Sequence, residues 1–249
     1  MQKILFIFIL FFTFTLNAVT LNIAVATNVS YAIEELKAKF LQTHPDIKIN
    51  IILGSSGKLT AQISHGAPYG LFMSANMLYP QKLYKQKLAI TKPLVYTKGA
   101  LALFSSSSQD FSLGLQVLKT KEIQKIAIAS PKTAPYGKAA FEAIKNANIY
   151  KDIRAKLIFA ESISQTLSYI RSAADIGFVA LSSLYSAKMS RYKKGTHFYE
   201  VDTTLYSPIK QGLVLLSYGK SVQEYKLFYE FILSADAKKI FKKYGYLVS

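Results

Sequence analysis

The chain has 249 residues, 51% of them hydrophobic, enough for one large α/β domain or two lobes of about 100 residues each. There is no cysteine, which excludes disulfides, thiol chemistry and cysteine-held metals and leaves stability to the core. The net charge of +17 admits any anionic partner, but the lysines are scattered, as in KAK, KLYKQK and KKYG, and no basic run interleaved with aromatics marks a nucleic-acid face.

The first 18 residues, MQKILFIFILFFTFTLNA, place Lys3 before an unbroken apolar run that gives way to small and polar residues ending at Ala18. This is the layout of a cleaved secretory signal peptide, and the run falls short of the roughly 20 residues that a membrane span needs. With no cysteine at the cleavage point, a lipid-anchored form is not expected, and the mature protein is expected in the periplasm as a monomer.

Beyond the leader, β-rich runs stand at 21–26, 47–53, 71–75, 100–104, 126–129, 156–160, 176–181 and 212–217. Helical patterns lie between most of them. Ile33, Leu36 and Phe40 share one helical face, and so do Ile163, Leu167 and Ile170. The last pattern, 221–245, is long and has a natural break near Ser234. Such alternation predicts mixed or parallel sheets covered by helices, with ligands beyond the carboxyl ends of the strands.

Four strand-to-helix junctions lie at such positions. In AVATNVSYAIEEL (24–36), Thr27 and Asn28 follow a strand, and Asn28 or Ser30 is a plausible N-cap. GSSGKL (54–59) sets Ser55 and Ser56 between glycines. IASPKTAPYGKAAFEAI (128–144) offers Pro135 as a first helical residue, with Tyr136 next. FAESISQTLSYI (159–170) carries a capping-box pattern, Ser162 with Gln165, ahead of Ile163. Helix capping accounts for each junction singly. As a set they describe an anion site, because helix starts offer unpaired N–H groups and a partial positive charge.

At these residues the sequence resembles the periplasmic molybdate/tungstate-binding proteins of ABC importers. SSGKLTAQISHGAPYGLFMSAN (55–76) is similar to the family's serine-rich turn and its Q-I-x-x-G-A-P-x-D-L-F-x-S-A block, with Gly70 in place of the usual Asp. PKTAPYGKAAFEAI, ADIGFVALS (174–182) and AKKIFKKYGY (237–246) also match. The resemblance implies an α/β, two-lobed type II periplasmic binding protein fold with the ligand cleft between the lobes. Residues 19–98 and 207–249 would form one discontinuous lobe and 99–206 the other. It implies ligand contacts from Thr27, Asn28, Ser55, Ser56, Tyr136 and Ile163, an oxyanion ligand, no cofactor, and membrane permease and ATPase subunits as partners. Ala180 stands where many members carry a ligand-bonding Tyr, and Tyr136 would make up for it. Gly57 would let the backbone approach the ligand, and Glu161 would point away from it.

Rival readings are weaker. GSSGK does not satisfy the P-loop pattern, no G-x-S-x-G elbow is present, and His44, His65 and His197 show no metal-ligand spacing. An enzyme is therefore not expected. The alternatives kept open are a binder of another oxyanion, sulfate or phosphate, and an exported basic protein that binds polyanions through its charge.

Overall fold

The computed structural model describes residues 19–248; the expected leader lies outside them. Among the described residues no helix is long and apolar enough to cross a membrane.

The strands are β1 (Val19–Ala26), β2 (Ile47–Gly54), β3 (Leu71–Ser74), β4 (Leu94–Gly99), β5 (Leu101–Phe104), β6 (Ile126–Ala129), β7 (Leu157–Ala160), β8 (Ile176–Ala180), β9 (Phe198–Glu200) and β10 (Ile209–Leu215). The helices are α1 (Ile33–Leu41), α2 (Ser56–Ser64), α3 (Leu78–Lys85), α4 (Pro135–Asn146), α5 (Tyr150–Ile153), α6 (Ile163–Ser172), α7 (Leu181–Leu184), α8 (Gln223–Leu233) and α9 (Ala235–Lys243). The strands form two five-stranded sheets, in the orders β2-β1-β3-β10-β4 and β7-β6-β8-β5-β9. In each, three strands run parallel, and the strand beside them, β10 or β5, runs antiparallel to its neighbours. The chain leaves the first sheet at the end of β4, enters the second at β5, and returns after β9 into β10. The architecture is the expected two-lobed α/β arrangement, with mixed sheets flanked by helices.

The parallel strands β3 and β6 are buried along their whole length, so they read as continuous apolar runs rather than alternations. Helices cover both faces with the predicted stripes: Ile33, Leu36 and Phe40 of α1, and Ile163, Leu167 and Ile170 of α6, are all buried. Ser234 breaks the terminal pattern where expected, since its hydroxyl accepts from the Ala237 N–H and starts α9. β4 and β9 carry too little apolar alternation to be seen in the sequence. β4 lies beside β10, and β9 is a three-residue edge strand beside β5.

Gly70 shows why one family position differs here. A Cβ at Gly70 would lie 2.2–2.4 Å from the Tyr225 ring. That ring comes from α8, is buried, and accepts from the Asn22 N–H at 2.9 Å through its hydroxyl. Restoring the family residue with Gly70→Asp is therefore expected to destabilise the protein by at least about 1–3 kcal/mol through overpacking, read as a lower urea midpoint.

Candidate functional site

β1, β2, β6 and β7 point their carboxyl ends at the space between the two sheets, and a helical segment starts at each end. A small cavity lies at this convergence. It is lined by Thr27, Asn28, Ser55, Ser56, Tyr136 and Ile163, together with Ala26, Gly54, Ala75, Ala134 and Pro135. The structure thus brings together all six residues singled out in the sequence. No Lys, Arg, His, Asp or Glu lines the cavity.

The local geometry separates helix caps from residues with spare hydrogen-bonding groups. Ser162 is a cap: its hydroxyl accepts from the Gln165 N–H at 3.2 Å. Gln165 in turn accepts from the Glu161 N–H at 2.6 Å, one residue earlier than a strict capping box. Ser55 occupies the N-cap position of α2, yet its side chain caps nothing, and its buried hydroxyl has no partner. The Ser56 hydroxyl accepts from the Ala75 N–H at 2.9 Å, which leaves its own hydrogen to donate. Neither Asn28 nor Ser30 caps α1. Thr27–Val29 form a 3₁₀ turn, and the N-cap position of α1 falls to Ala32. Pro135 is the first residue of α4, as predicted. The N–H groups of Ser56, Tyr136 and Ile163 lie in the first turns of α2, α4 and α6, where no intrahelical acceptor exists.

Asn28 is nearly fully buried. Its Nδ2 donates to Gln211 Oε1 at 2.9 Å and to the Tyr246 hydroxyl at 3.4 Å, and its Oδ1 is buried without a partner. The Tyr136 ring is buried, and its hydroxyl lies 3.4 Å from Gln211 Nε2. Burial, with neighbouring phenols adding to it, pushes the Tyr136 and Tyr96 hydroxyls well above the ordinary tyrosine range, and burial pushes Tyr246 the same way. All three stay neutral at physiological pH. Ala180 does not line this cavity; it lines an adjoining one of similar size with Tyr31, Ser164 and Ser183, and Thr27, Asn28 and Ile163 line both.

The lobes touch across the site. The Gly57 N–H donates to the Thr133 carbonyl at 2.9 Å, Ser164 Oγ to the Thr27 carbonyl at 3.1 Å, and Ser182 Oγ to the Asn28 carbonyl at 3.1 Å. A Cβ at Gly57 would lie 2.9 Å from that Thr133 oxygen, so the close approach it permits is to the opposite lobe rather than to a ligand. Glu161 points outward, as expected, and pairs with Lys58 at 2.5 Å on the exposed rim. His65 is exposed, His44 is half-buried and stacks on Phe40, and His197 packs against Tyr192.

A profile of the bacterial extracellular solute-binding proteins matches residues 21–247. The chain belongs to this family. It is 34% identical to the molybdate-binding protein ModA of Rhodobacter capsulatus, over 90% of this chain and 86% of that one. It is 30% identical to ModA of Azotobacter vinelandii, over 92% and 90%. The solved periplasmic molybdate-binding protein of Azotobacter vinelandii superposes with a TM-score of 0.85, covering 92% of this chain and 99% of that one. The sulfate-binding protein SubI of Mycobacterium tuberculosis, 11% identical with a TM-score of 0.74, shares the fold.

In this solute-binding protein, sequence reasoning missed Gln211, Tyr96, Tyr246, Ser164 and Ser182. One signal for Gln211 was available: a lone amide inside the strand IKQGLVL, where it is fully buried. The contrast between the serines is testable. Ser162→Ala removes a working cap and is expected to lower stability by about 1 kcal/mol. Ser55→Ala removes an unpaired buried hydroxyl and is expected to leave the stability of the unliganded protein unchanged or raise it. Chemical denaturation of both variants without added anion checks this.

Proposed function

We propose that this protein captures molybdate, and by the same chemistry tungstate, in the cavity between its lobes and delivers it to the permease and ATPase of an ABC importer. In this reading it acts as an exported, periplasmic, monomeric binder and not as an enzyme. Residues 19–98 with 207–249, and residues 99–206, would be the two closing lobes. The observation that carries the reading is a buried, uncharged cavity at converging helix starts whose walls hold unpaired polar atoms. The similarity to molybdate-binding relatives over most of the chain supports the choice of ligand.

The donors fit a tetrahedral dianion. Ser55 and Ser56 offer hydroxyl hydrogens, and the first turns of α2, α4 and α6 offer N–H groups with the positive ends of the helix dipoles behind them. Hydrogen phosphate carries a proton that no carboxylate in the cavity can accept, a mismatch of about 1–3 kcal/mol. Sulfate has no such proton, but it is smaller and would stretch bonds to donors fixed on two lobes.

Calorimetric titration at fixed ionic strength is expected to show molybdate and tungstate binding far more tightly than sulfate, with phosphate excluded at neutral pH. Ser56→Ala and Asn28→Ala are each expected to weaken molybdate by about 1.5–3 kcal/mol, the contribution of a hydrogen bond to a charged group. Affinities within twofold of wild type would reduce both residues to structural roles. The pH profile is a further check. The titratable groups bordering the site are phenols raised by burial, so they remain neutral up to and beyond the ordinary tyrosine value of about 10. Affinity is expected to be flat from about pH 6.5 to about pH 9; a step near neutrality would mean that an ionising group lines the site after all.

A further inference from the structure

Only three of the 31 Lys and Arg residues are arginines, Arg154, Arg171 and Arg191, and two of these meet at one place. Arg171, in the last turn of α6, and Arg191, just past the Ala187–Met189 turn, line an open pocket beside the second sheet with Ser106, Tyr192 and His197. This pocket shares no lining residue with the cavity between the lobes. No Asp or Glu lines it, and every ion pair among the described residues is made by a lysine. A cation in the last turn of α6 also complements the helix dipole, but a lysine would do that as well.

The donors are held in place. The Arg191 guanidinium lies 4.7 Å from the centre of the Tyr192 ring, and its Nη2 donates to the Tyr192 hydroxyl at 2.6 Å. That ring is buried and packs edge-on against Phe104 of β5 at 4.9 Å. The Tyr192 hydroxyl, accepting from Arg191, keeps its own hydrogen to donate. The Lys193 N–H donates to His197 Nδ1 at 3.2 Å, so the neutral ring carries its proton on Nε2. Ser106 is already used: its hydroxyl donates to the Ile170 carbonyl at 3.2 Å and ties its loop to the end of α6.

Two guanidinium groups at one pocket with no acid between them repel each other, and an anion seated between them relieves this. A carboxylate is satisfied by the fork of a single arginine. Two forks, an imidazole N–H and a phenol O–H call for an anion with more acceptor oxygens, and a phosphoryl group has them. We propose that the Arg171–Arg191 pocket is a second anion site that binds a phosphoryl group, carried by soluble phosphate or by the head group of an anionic lipid. The proposal is independent of what the cavity between the lobes binds.

The experiment has two arms at neutral pH and fixed ionic strength. One is calorimetric titration with inorganic phosphate. The other is co-sedimentation with vesicles of phosphatidylglycerol in phosphatidylcholine, against phosphatidylcholine alone. Both are run on wild type, Arg171→Gln, Arg171→Gln with Arg191→Gln, and a control, Lys48→Gln with Lys220→Gln, which removes the same charge from two exposed residues elsewhere. The single arginine variant is expected to lose about fivefold or more in affinity, the double about tenfold or more, and the control less than about twofold. A loss in the phosphate arm alone assigns the site to soluble phosphate, and a loss in the vesicle arm assigns it to the head group. Phosphate held in the cavity between the lobes would survive the arginine substitutions, so it cannot imitate this result. Arg171 is exposed, so the single variant keeps the test decisive should the double variant fail to fold. Binding in neither arm, or a loss no larger than that of the lysine control, overturns the proposal.

Discussion

A doubly charged anion can be buried among neutral groups only if hydrogen atoms replace the water it loses, and the proposed site meets that constraint. A cation inside the cavity would satisfy the charge, but it would also bind any anion, whereas fixed N–H and O–H groups discriminate by geometry and by proton count. Helix starts supply such groups without using side chains. To aim several of them at one point, the chain must end several parallel strands on the same side of a sheet and start a helix at each. Two such sheets facing each other double the number of donors and would surround the proposed anion. The mixed five-stranded sheets, each completed by an antiparallel strand reached through the crossovers, provide this arrangement.

Across the site the two halves are joined by hydrogen bonds. Here they are backbone-based and small: the Gly57 N–H on the Thr133 carbonyl, and two serine hydroxyls on the carbonyls of Thr27 and Asn28. Each such bond is worth about 1 kcal/mol net, and the half-exposed Lys58–Glu161 pair adds at most about 1 kcal/mol. In the proposed binder, weak contacts between the halves would suit release of the ligand, which would supply most of the stability of a closed form. Thr27 and Asn28, whose carbonyls accept two of these bonds, also line the cavity, so the contacts and the site share residues.

Much of this was legible in the sequence, and the failures have physical causes. Long apolar runs and a 3.6-residue periodicity marked the buried strands and the helices α1 and α6, because burial on both faces or on one stripe leaves a compositional trace. β4 and β9 left none, since strands at a sheet edge need not be apolar on either face. At the junctions, GSSGKL drew attention through its two serines, but sequence could not separate Ser55, which caps nothing, from Ser162, which caps its helix. Both sit at N-cap positions, and the hydrogen bond that Ser162 makes and Ser55 does not tells them apart. Asn28 looked like a cap and is instead half of a buried amide pair, because its partner Gln211 is 183 positions away. Long-range polar contacts are invisible to local pattern, and the polar cluster behind the site consists of little else.

The net charge of +17 stands beside a cavity with no charged residue, and the two features act on different steps. Lysines on the surface raise the local concentration of anions and so speed encounter, an effect that salt screens over about 10 Å. Within the cavity of the proposed binder an anion would be held by neutral donors, where salt has little access. In the proposed binder, charge governs how fast an oxyanion arrives and hydrogen bonding governs how long it stays. A basic surface therefore carries no information about which anion is selected. In the proposed binder selection would reside in the few buried hydroxyls and N–H groups that line the cavity, which is why composition alone left the ligand open and the junction residues narrowed it.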